Sequence, residues 1–324
     1  MRSLLAVVTL LALAACEDRP QIYLDMSPEP DVELPQDIVG PPGPDITVGP
    51  AVTVSVATFN VHDFFDAADD PAHQDELPTA AEVDAKVKKL GAAMRELKAD
   101  IVALQEVENI GMLQRLNSEE LSGLGYKEAR LVPGNDVRGI NLALLSRYPV
   151  VLQISHKNET FLGVDGGTIK YGFSRDCLEV TIEPSQGRRL VLLINHLAAD
   201  DGSADALARR QAQAARVRQI VDAALKSNPS ANLAVLGDLN DQPGTKTLQL
   251  LVNGTPALYD ATSTIAAADR WTHLYSGKKE QLDHMLLAPG LKDDLVSGSP
   301  TIPHTQTFKD ASDHYPVSAR FTLK

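Results

Sequence analysis

The sequence has little cysteine, few aromatic residues and an excess of acidic over basic side chains. Its two cysteines, Cys16 and Cys177, cannot build the cysteine cluster of a thiolate zinc site. The net charge of −13 argues against tight, non-specific binding of nucleic acid by bulk electrostatics. A nuclease is not excluded, because bound divalent cations can supply positive charge locally.

The N-terminus has the pattern of an export signal. Arg2 gives a positive end, and residues 4–15 form an apolar run that is too short to span a bilayer. The segment LAAC at 13–16 resembles the bacterial lipoprotein signal, although an ordinary secretory signal with an incidental cysteine is the alternative. The resemblance implies a signal peptide at 1–15, lipidation of Cys16 and a membrane anchor in the bacterial cell envelope. Since the residue after the cysteine is Glu17 and not Asp, we expect the anchored protein to be exported to the outer membrane.

Two further regions follow the signal. Residues 16–50 are rich in proline and acidic side chains and lack periodicity, which predicts a tether. Residues 51–324 contain no linker-like break, so we expect one folded domain, acting as a monomer without an obligate protein partner. A lipidated Cys16 would leave Cys177 as the only thiol, so no intramolecular disulfide is expected.

Apolar runs and alternation predict more strands than helices. Helices are expected at 80–98, 110–121 and 205–225, from apolar side chains at helical spacing. Strands are expected at 52–59, 101–104, 142–145, 178–182, 190–194, 233–236, 284–287 and 316–323. The strands do not alternate strictly with the helices. The pattern therefore favours an α/β (α+β) fold with two sheets packed face to face and helices outside, over a doubly wound parallel sheet.

The segment GDLNDQP at 237–243 is the most informative stretch of the chain. It follows a short apolar strand, and Asp238 and Asn240 are spaced so that both project to the same side of an extended segment. A carboxylate and an amide placed in this way can hold a hard cation or a phosphate oxygen. Both residue types are also common in turns, so the segment alone is only suggestive.

Other predicted strand ends carry polar groups of the same kind. They are Asn60, Glu106, His196, the pair Asp283-His284 and the pair Asp313-His314. Each could be an ordinary turn or cap residue, but together they suggest a site. The oxygen ligands suit Mg²⁺, Mn²⁺ or Ca²⁺ better than thiolate zinc, and they are Asn60, Glu106, Asp238, Asn240 and Asp313. His196 and His314 can act as general acid and general base. Together with a metal ion, these groups indicate phosphoester hydrolysis.

Five segments, in this order, resemble the signature segments of the endonuclease/exonuclease/phosphatase superfamily. They are TFNV at 58–61, LQEV at 104–107, GDLND at 237–241, LDH at 282–284 and SDH at 312–314. The match runs over about residues 52–322. The resemblance implies a four-layer αββα sandwich of two mostly antiparallel β-sheets flanked by helices, with residues 51–324 as the catalytic domain.

The resemblance also implies roles for individual residues. Asn60 and Glu106 match the metal-binding pair, and Asp313 is expected to contribute to the same site. Asp238 and Asn240 match residues that position the phosphate and nucleophile or bind a second metal.

Three further roles follow from the same comparison. His314, oriented by Asp283, matches the general base that activates water. His196 matches the histidine that contacts the phosphate or protonates the leaving oxygen. Arg175 is expected to contact the phosphate, although a surface ion pair is the alternative.

The function implied is an exported, divalent-metal-dependent phosphodiesterase, foremost an endonuclease that hydrolyses DNA or RNA with Mg²⁺ or Mn²⁺. Ca²⁺ would be a structural or co-activating ion. The alternative is a phospholipid or small-molecule phosphoesterase of the same superfamily, similar to sphingomyelinases or inositol-phosphate phosphatases. The loop with Trp271, His273 and Tyr275 could stack on bases, although the only Trp of a chain often packs in the core.

Overall fold

The structure, a computed structural model, describes residues 48–324, which belong to one compact unit. The strands are β1 Val52–Phe64, β2 Ile101–Val107, β3 Glu128–Val132, β4 Asn141–Ser146, β5 Val150–Ser155, β6 Thr160–Leu162, β7 Lys170–Gly172, β8 Cys177–Ser185, β9 Arg188–His196, β10 Leu233–Asp238, β11 Tyr259–Asp260, β12 His273–Tyr275, β13 Lys278–Glu280, β14 Asp283–Leu287 and β15 Val317–Leu323. The helices are α1 Ala80–Leu97, α2 Ile110–Glu120, α3 Ala204–Ser227, α4 Lys246–Val252, α5 Pro289–Asp293 and α6 Gln306–Ala311.

Two large sheets carry most of the strands. The first has five strands in the order β15-β1-β2-β4-β3, and the second has six in the order β11-β14-β10-β9-β8-β5. Two short hairpins, β6–β7 and β12–β13, stand apart from them. Each large sheet is antiparallel except for one central parallel pair, β1–β2 in the first and β9–β10 in the second.

The parallel pairs follow from the helices between their strands. Helix α1 connects β1 to β2 and α3 connects β9 to β10, and such a crossover returns the chain to the same end of the sheet. The carboxyl ends of these four strands therefore lie at corresponding edges of the two sheets. The strands β14 and β15 run antiparallel to β10 and β1, so they begin where those strands end.

The hydrophobic core lies between the sheets and beneath the helices on either side. In β9, Leu192 and Ile194 face the core between the sheets, while Leu193 packs on the other side with α3 and α4. Helices α1 and α2 cover the outer face of the first sheet. The predicted αββα sandwich with mostly antiparallel sheets is confirmed, and the apolar runs of its central strands reflect burial on both faces.

The long elements agree with the sequence-based predictions, whereas the short ones were missed. Helix α1 begins after Thr79, whose side chain forms a capping box with Glu82, and ends at Leu97, within a residue of the predicted boundaries. All eight predicted strands are present, with β1 and β2 extending past the predicted ends to residues 64 and 107. Strands β3, β5, β11 and both hairpins were not predicted, nor were α4 to α6.

The predicted signal peptide, the lipidation site Cys16 and the tether up to residue 47 lie outside the described residues. Cys177 is a buried free thiol at the start of β8. Within residues 48–324, none of the helices combines the length and the apolarity needed to cross a bilayer.

Candidate active site

Four buried polar residues meet at the carboxyl ends of the two parallel pairs. Asn60 lies in β1, Glu106 in β2, His196 ends β9 and Asp238 ends β10. The Asn60 Nδ2 donates hydrogen bonds to Glu106 Oε1 and Asp238 Oδ2, at 3.0 Å each. The Asn60 side chain thus links Glu106 in the first sheet to Asp238 in the second sheet.

The backbone leaves regular strand geometry at this edge. Glu106, Asn240, His62 and Asp63 all have left-handed φ values, between 50° and 66°. Such values are uncommon for residues other than glycine and often accompany functional sites. The pairing of β1 with β2 also shifts register between Asn60 and Phe64. Such a bulge re-aims side chains, here those of His62 and Asp63.

The carboxylate of Glu106 is held by its neighbours. Its Oε2 accepts a hydrogen bond from the Asp63 backbone N–H at 2.9 Å. Burial acts to raise the pKa of Glu106, but the His196 charge and the hydrogen bonds from Asn60 and Asp63 outweigh it and lower the pKa. Burial, followed by the Arg175 charge, lowers the pKa of His196 well below its usual value.

His196 lies between the two carboxylates. Its Nε2 is 3.5 Å from Asp238 Oδ2 and 3.9 Å from Glu106 Oε1. Its Nδ1 is buried and makes no hydrogen bond within the described part of the chain. The imidazole is therefore buried between the two carboxylates.

His314 and Asp283 form a buried pair. His314 Nδ1 lies 2.7 Å from Asp283 Oδ2, and His314 Nε2 lies 3.8 Å from Asp238 Oδ2. Burial acts to lower the pKa of His314, but the charge and hydrogen bond of Asp283 raise it to about 10. The carboxylate therefore favours the imidazolium and turns Nε2 toward the centre of the site.

Two hydroxyl groups fix the segments that carry this pair. Thr272 Oγ1 accepts from the backbone N–H of Asp283 at 2.9 Å. Ser312 Oγ donates to Asn60 O at 2.8 Å and accepts from the backbone N–H of His314 at 3.0 Å. The loop before β15 is thereby tied to β1.

Asp238 ends β10, and Asn240 lies in the loop that follows it. Asp238 Oδ1 accepts from the Asn240 backbone N–H at 2.9 Å, and Asn240 Nδ2 donates to Leu197 O at 3.0 Å. Burial and then the charge of Asp283 raise the pKa of Asp238 to about 6. The segment is not extended as the spacing argument assumed, because Asn240 has a left-handed φ of 52° and follows the end of β10 at Asp238.

Gly237 precedes Asp238 and determines how closely β10 approaches β9. Its φ is 130°, and a Cβ atom there would lie 2.0 Å from Asn195 O. Gly237→Ala should therefore displace Asp238, lower the melting temperature and reduce activity. Thermal unfolding and steady-state kinetics check this, with Gly244→Ala as a control, since a Cβ at Gly244 would meet nothing within 4 Å. Both glycines have positive φ, so equal effects of the two changes would contradict the close-approach argument.

Arg175 lies beside the same site. Its Nε is 2.7 Å from Asp136 Oδ2, and its Nη1 donates to Leu197 O at 3.1 Å. Since Leu197 O also accepts from Asn240, Arg175 and Asn240 are brought together at one carbonyl. The guanidinium is buried, so the surface ion pair considered as an alternative does not describe it.

Asp313 contacts two histidines, and its expected contribution to the site of Asn60 and Glu106 stays a prediction. Its oxygens lie 3.5 Å from His62 Nδ1 and 3.6 Å from His273 Nε2. In the described network it shares no hydrogen bond with Asn60 or Glu106. Its neighbours are therefore two imidazoles, and the sequence pointed to neither as a partner of Asp313.

The residues present fit a hard divalent cation. Glu106 and Asp238 supply carboxylate oxygens next to the amide of Asn60, and Asn240 adds a second amide nearby. Carboxylate and amide oxygens are the donors that Mg²⁺, Mn²⁺ and Ca²⁺ prefer. The carboxylates of Asp238, Asp283 and the ring of His314 form a further group close enough to share an ion.

Several neighbours of the site were not predicted. Asp63 joins Glu106 to Arg138, whose Nη1 lies 2.9 Å from Asp63 Oδ1, and Asp136 holds Arg175. Burial and the Glu106 charge raise the pKa of Asp63 to about 6. The polar His62-Asp63 pair that closely follows Asn60 in β1 was the available signal.

The loop that carries Trp271, His273 and Tyr275 is packed at one end and exposed at the other. Trp271 is packed, with the His304 ring 3.7 Å from it and the Lys279 Nζ 4.3 Å from its ring centroid. Its faces are thus occupied, so the packed position considered for the only Trp describes Trp271, and stacking on bases does not. Tyr275, at the tip of the β12–β13 hairpin, is 66% exposed. The His273 ring lies 4.6 Å from that of His314.

A family model described as Endonuclease/Exonuclease/phosphatase family matches residues 55–318. Among solved structures, the human Nocturnin catalytic domain with bound sulfate anion is similar, with a TM-score of 0.60 and 19% identity, covering 86% of this chain and 97% of that one. An endonuclease/exonuclease/phosphatase from Beutenbergia cavernae has a TM-score of 0.58 and 21% identity, over 84% of this chain and 72% of that one. At these identities the likeness shows the fold.

A curated relative has a more specific name. A Phospholipase C from Staphylococcus aureus is 25% identical over 202 residues, which are 55% of this chain and 58% of the relative. The chain thus matches little more than half the length of this relative.

Proposed function

This chain belongs to the endonuclease/exonuclease/phosphatase family of phosphoric ester hydrolases, and from that premise we propose that it is a divalent-metal-dependent phosphodiesterase whose substrate is DNA or RNA. The observation that supports this most is the buried network at the strand ends. In it, Asn60 bridges the carboxylates of Glu106 and Asp238, and the His314–Asp283 pair faces them. We also propose residues 51–324 as the catalytic domain.

We assign different roles in phosphoester hydrolysis to the residues of the site. A Mg²⁺ or Mn²⁺ ion held by Asn60, Glu106 and Asp238 would supply Lewis acidity toward a phosphoryl oxygen and neutralise developing charge. Asn240 and Arg175, which both donate to Leu197 O, would contact the phosphate on the side opposite the metal ion. His196, between the carboxylates, contacts the phosphate or protonates the leaving oxygen.

His314 is assigned to water activation. Its Nδ1 is occupied by Asp283, so Nε2 is the atom that accepts the proton of the attacking water. Asp283 then stabilises the imidazolium that forms. Because Asp283 already favours the charged ring, positive charge near the carboxylates is needed to free Nε2, and a cation held by Glu106 and Asp238 would supply that charge.

The surface beside Arg175 favours a polymeric phosphodiester. A cavity of about 460 Å³ opens there, and its lining includes Arg175 and Arg209, which are paired with Asp136 and Asp205, as well as Asp201 and Asn135. Guanidinium groups suit the phosphate that flanks a scissile bond in a nucleic acid. The net charge of −13 limits long-range attraction, so binding should depend on these local groups.

A phospholipid phosphodiesterase is the second candidate, and the named Phospholipase C relative favours it. The described structure offers one exposed aromatic residue at the β12–β13 tip, Tyr275, where membrane insertion would favour more. An exported lipoprotein in the cell envelope, anchored through Cys16 and acting as a monomer, remains our proposal for location and assembly.

A comparison of polymeric and lipid substrates tests the proposal. The purified protein is given supercoiled plasmid DNA, single-stranded RNA, or vesicles of phosphatidylcholine or sphingomyelin, each with Mg²⁺ or Mn²⁺. We expect nicking of the plasmid or cleavage of the RNA, and none with EDTA until the metal is restored. Hydrolysis of the vesicles alone would replace the nuclease proposal with the lipid one. Cleavage that persists in EDTA would remove the metal mechanism.

A further inference from the structure

His284 is fully buried, and it takes no part in the roles assigned to the site. It follows Asp283 in β14, and successive residues of a strand point to opposite faces. Asp283 contacts His314 in the site, so His284 points to the other face, where Leu286 packs beneath α3 and α4. We propose that His284 is a positioning residue that holds Asn240 in register with the Asp283–His314 pair. This role rests on the proposed function, in which Asn240 contacts the phosphate.

The loop after β10 is held on both sides of Asn240 by the segment at the start of β14. Before the amide, the Leu239 N–H donates to Leu282 O at 2.9 Å. After it, His284 Nε2 donates to Asp241 O at 2.9 Å. Leu282 and His284 flank the acid that orients the base. The phosphate-contacting amide and that acid are therefore fixed to each other by two hydrogen bonds, and only the second depends on a side chain.

The hydrogen bonds around His284 determine which ring nitrogen carries the proton. A backbone carbonyl only accepts, so Nε2 is the protonated nitrogen. Thr262 Oγ1 donates to Asp260 Oδ1 at 2.7 Å and accepts from Gln281 Nε2 at 3.0 Å. The same amide nitrogen lies 3.4 Å from His284 Nδ1, to which its second N–H donates. This network holds a neutral ring with its Nε2 proton directed at the loop.

The backbone of Asn240 depends on its surroundings. Its φ is 52°, a left-handed value that a residue other than glycine adopts only where neighbouring groups hold it. The Asn240 N–H donates to Asp238 Oδ1, and its Nδ2 donates to Leu197 O. Neither of these bonds reaches β14. The bond from His284 is therefore the side-chain contact that sets the position of Asn240 relative to that strand.

Asp241 has a second buried partner, Arg210 of α3. Arg210 Nε donates to Asp241 Oδ2 at 3.3 Å, and its Nη1 donates to Ala198 O at 3.1 Å. The carbonyl and the carboxylate of Asp241 are thus each bound by a buried side chain, although Asp241 has no role of its own in the site. Such an arrangement suits a residue whose function is to fix its neighbour.

A double-mutant cycle tests whether His284 acts through Asn240. His284→Leu removes the donor, and we expect kcat on bis(p-nitrophenyl) phosphate with saturating Mg²⁺ or Mn²⁺ to fall by up to about 100-fold, the cost of a displacement of about 1 Å. In a protein that carries Asn240→Ala, the same change should have little further effect, because the group that His284 positions is gone. Losses that multiply in the double variant would show that His284 acts elsewhere, and would overturn the proposed role.

Further variants separate positioning from a general loss of stability. His284→Gln keeps a side-chain N–H that can reach Asp241 O, so it should retain most of kcat. Tyr126→Phe is the matched control, since it removes a buried donor to a backbone carbonyl, Ala99 O, that precedes β2 at the end opposite the site. It should lower the melting temperature and leave kcat unchanged. If His284→Leu does not fold, His284→Asn replaces it, because the shorter amide cannot reach Asp241 O. A folded His284→Leu or His284→Asn protein with the kcat of Tyr126→Phe would contradict the role.

A measurement without substrate keeps this role separate from the proposed function. Hydrogen exchange of the backbone amides at 239–242 should be faster in His284→Leu than in the unaltered protein and in His284→Gln, since local opening of the loop becomes easier. Unchanged exchange would overturn the positioning role even in an active phosphodiesterase. Faster exchange in a protein whose unaltered form hydrolyses no phosphodiester would support the contact and overturn only the proposed function.

Discussion

His314→Gln is expected to lower kcat by about 10²–10⁴-fold, the contribution typical of a general base. The change removes the nitrogen that faces Asp238, while glutamine can still donate a hydrogen bond to Asp283. The protein should therefore remain folded, although the buried carboxylate loses a cationic partner. The measurement is kcat on an activated phosphodiester with saturating Mg²⁺, together with a thermal unfolding curve.

The control for this change is His156→Gln. His156 lies between Glu159 and Glu179 at the edge of the second sheet, and its described side-chain contacts do not include the site. Its loss should leave kcat within a few-fold of the original. A His314→Gln protein that is folded and retains most of its turnover would show that another group activates the water.

Glu106→Gln should reduce the affinity for Mg²⁺ or Mn²⁺ and lower activity by at least about 10–100-fold, the cost of disturbing even an outer-shell group. Glutamine keeps the size of the side chain and one acceptor oxygen, so it can retain the hydrogen bond from Asn60 Nδ2 or the one from the Asp63 N–H, but not both, and a moderate loss of stability is expected. What is lost is one of the two carboxylate charges at the ends of β2 and β10. Activity measured against metal concentration should therefore shift to higher concentration as well as fall.

Glu108→Gln is the matched control for Glu106→Gln. Glu108 is two residues further along the chain, and its Oε2 accepts from the Asp66 N–H outside the site. The metal dependence of this variant should equal that of the original protein. If Glu106→Gln instead had the unaltered metal dependence and only a lower stability, the carboxylate would be structural and the cation site would lie elsewhere.

The sequence predicts the central elements because they are buried on both faces or amphipathic over several turns. The run at 233–236 and the helix at 205–225 are of this kind, and both are present as β10 and α3. Strand β5 and the β6–β7 hairpin were missed because they are short and largely exposed, so neither alternation nor length distinguishes them.

The sequence also predicts that most of the site residues lie close together, because they follow strands and parallel strands end at a common edge. It could not place Asp313 beside His62, since that contact depends on the bulge in β1, or beside His273, which lies in a hairpin that was not predicted. Asp63 was missed for the same reason, as a regular strand would give it no route to Glu106. The packing of Trp271 by His304 likewise joins distant segments.

Hydrolysis of bis(p-nitrophenyl) phosphate by the purified protein, measured against Mg²⁺ or Mn²⁺ concentration, tests the central claim most directly. This small phosphodiester removes the question of whether DNA, RNA or lipid is the natural substrate. We predict release of p-nitrophenol that saturates with metal, stops in EDTA, and is lost in the folded His314→Gln and Glu106→Gln proteins. Equal release by these two variants, or full release in EDTA, would contradict a metal-dependent phosphodiesterase built on the strand-end network.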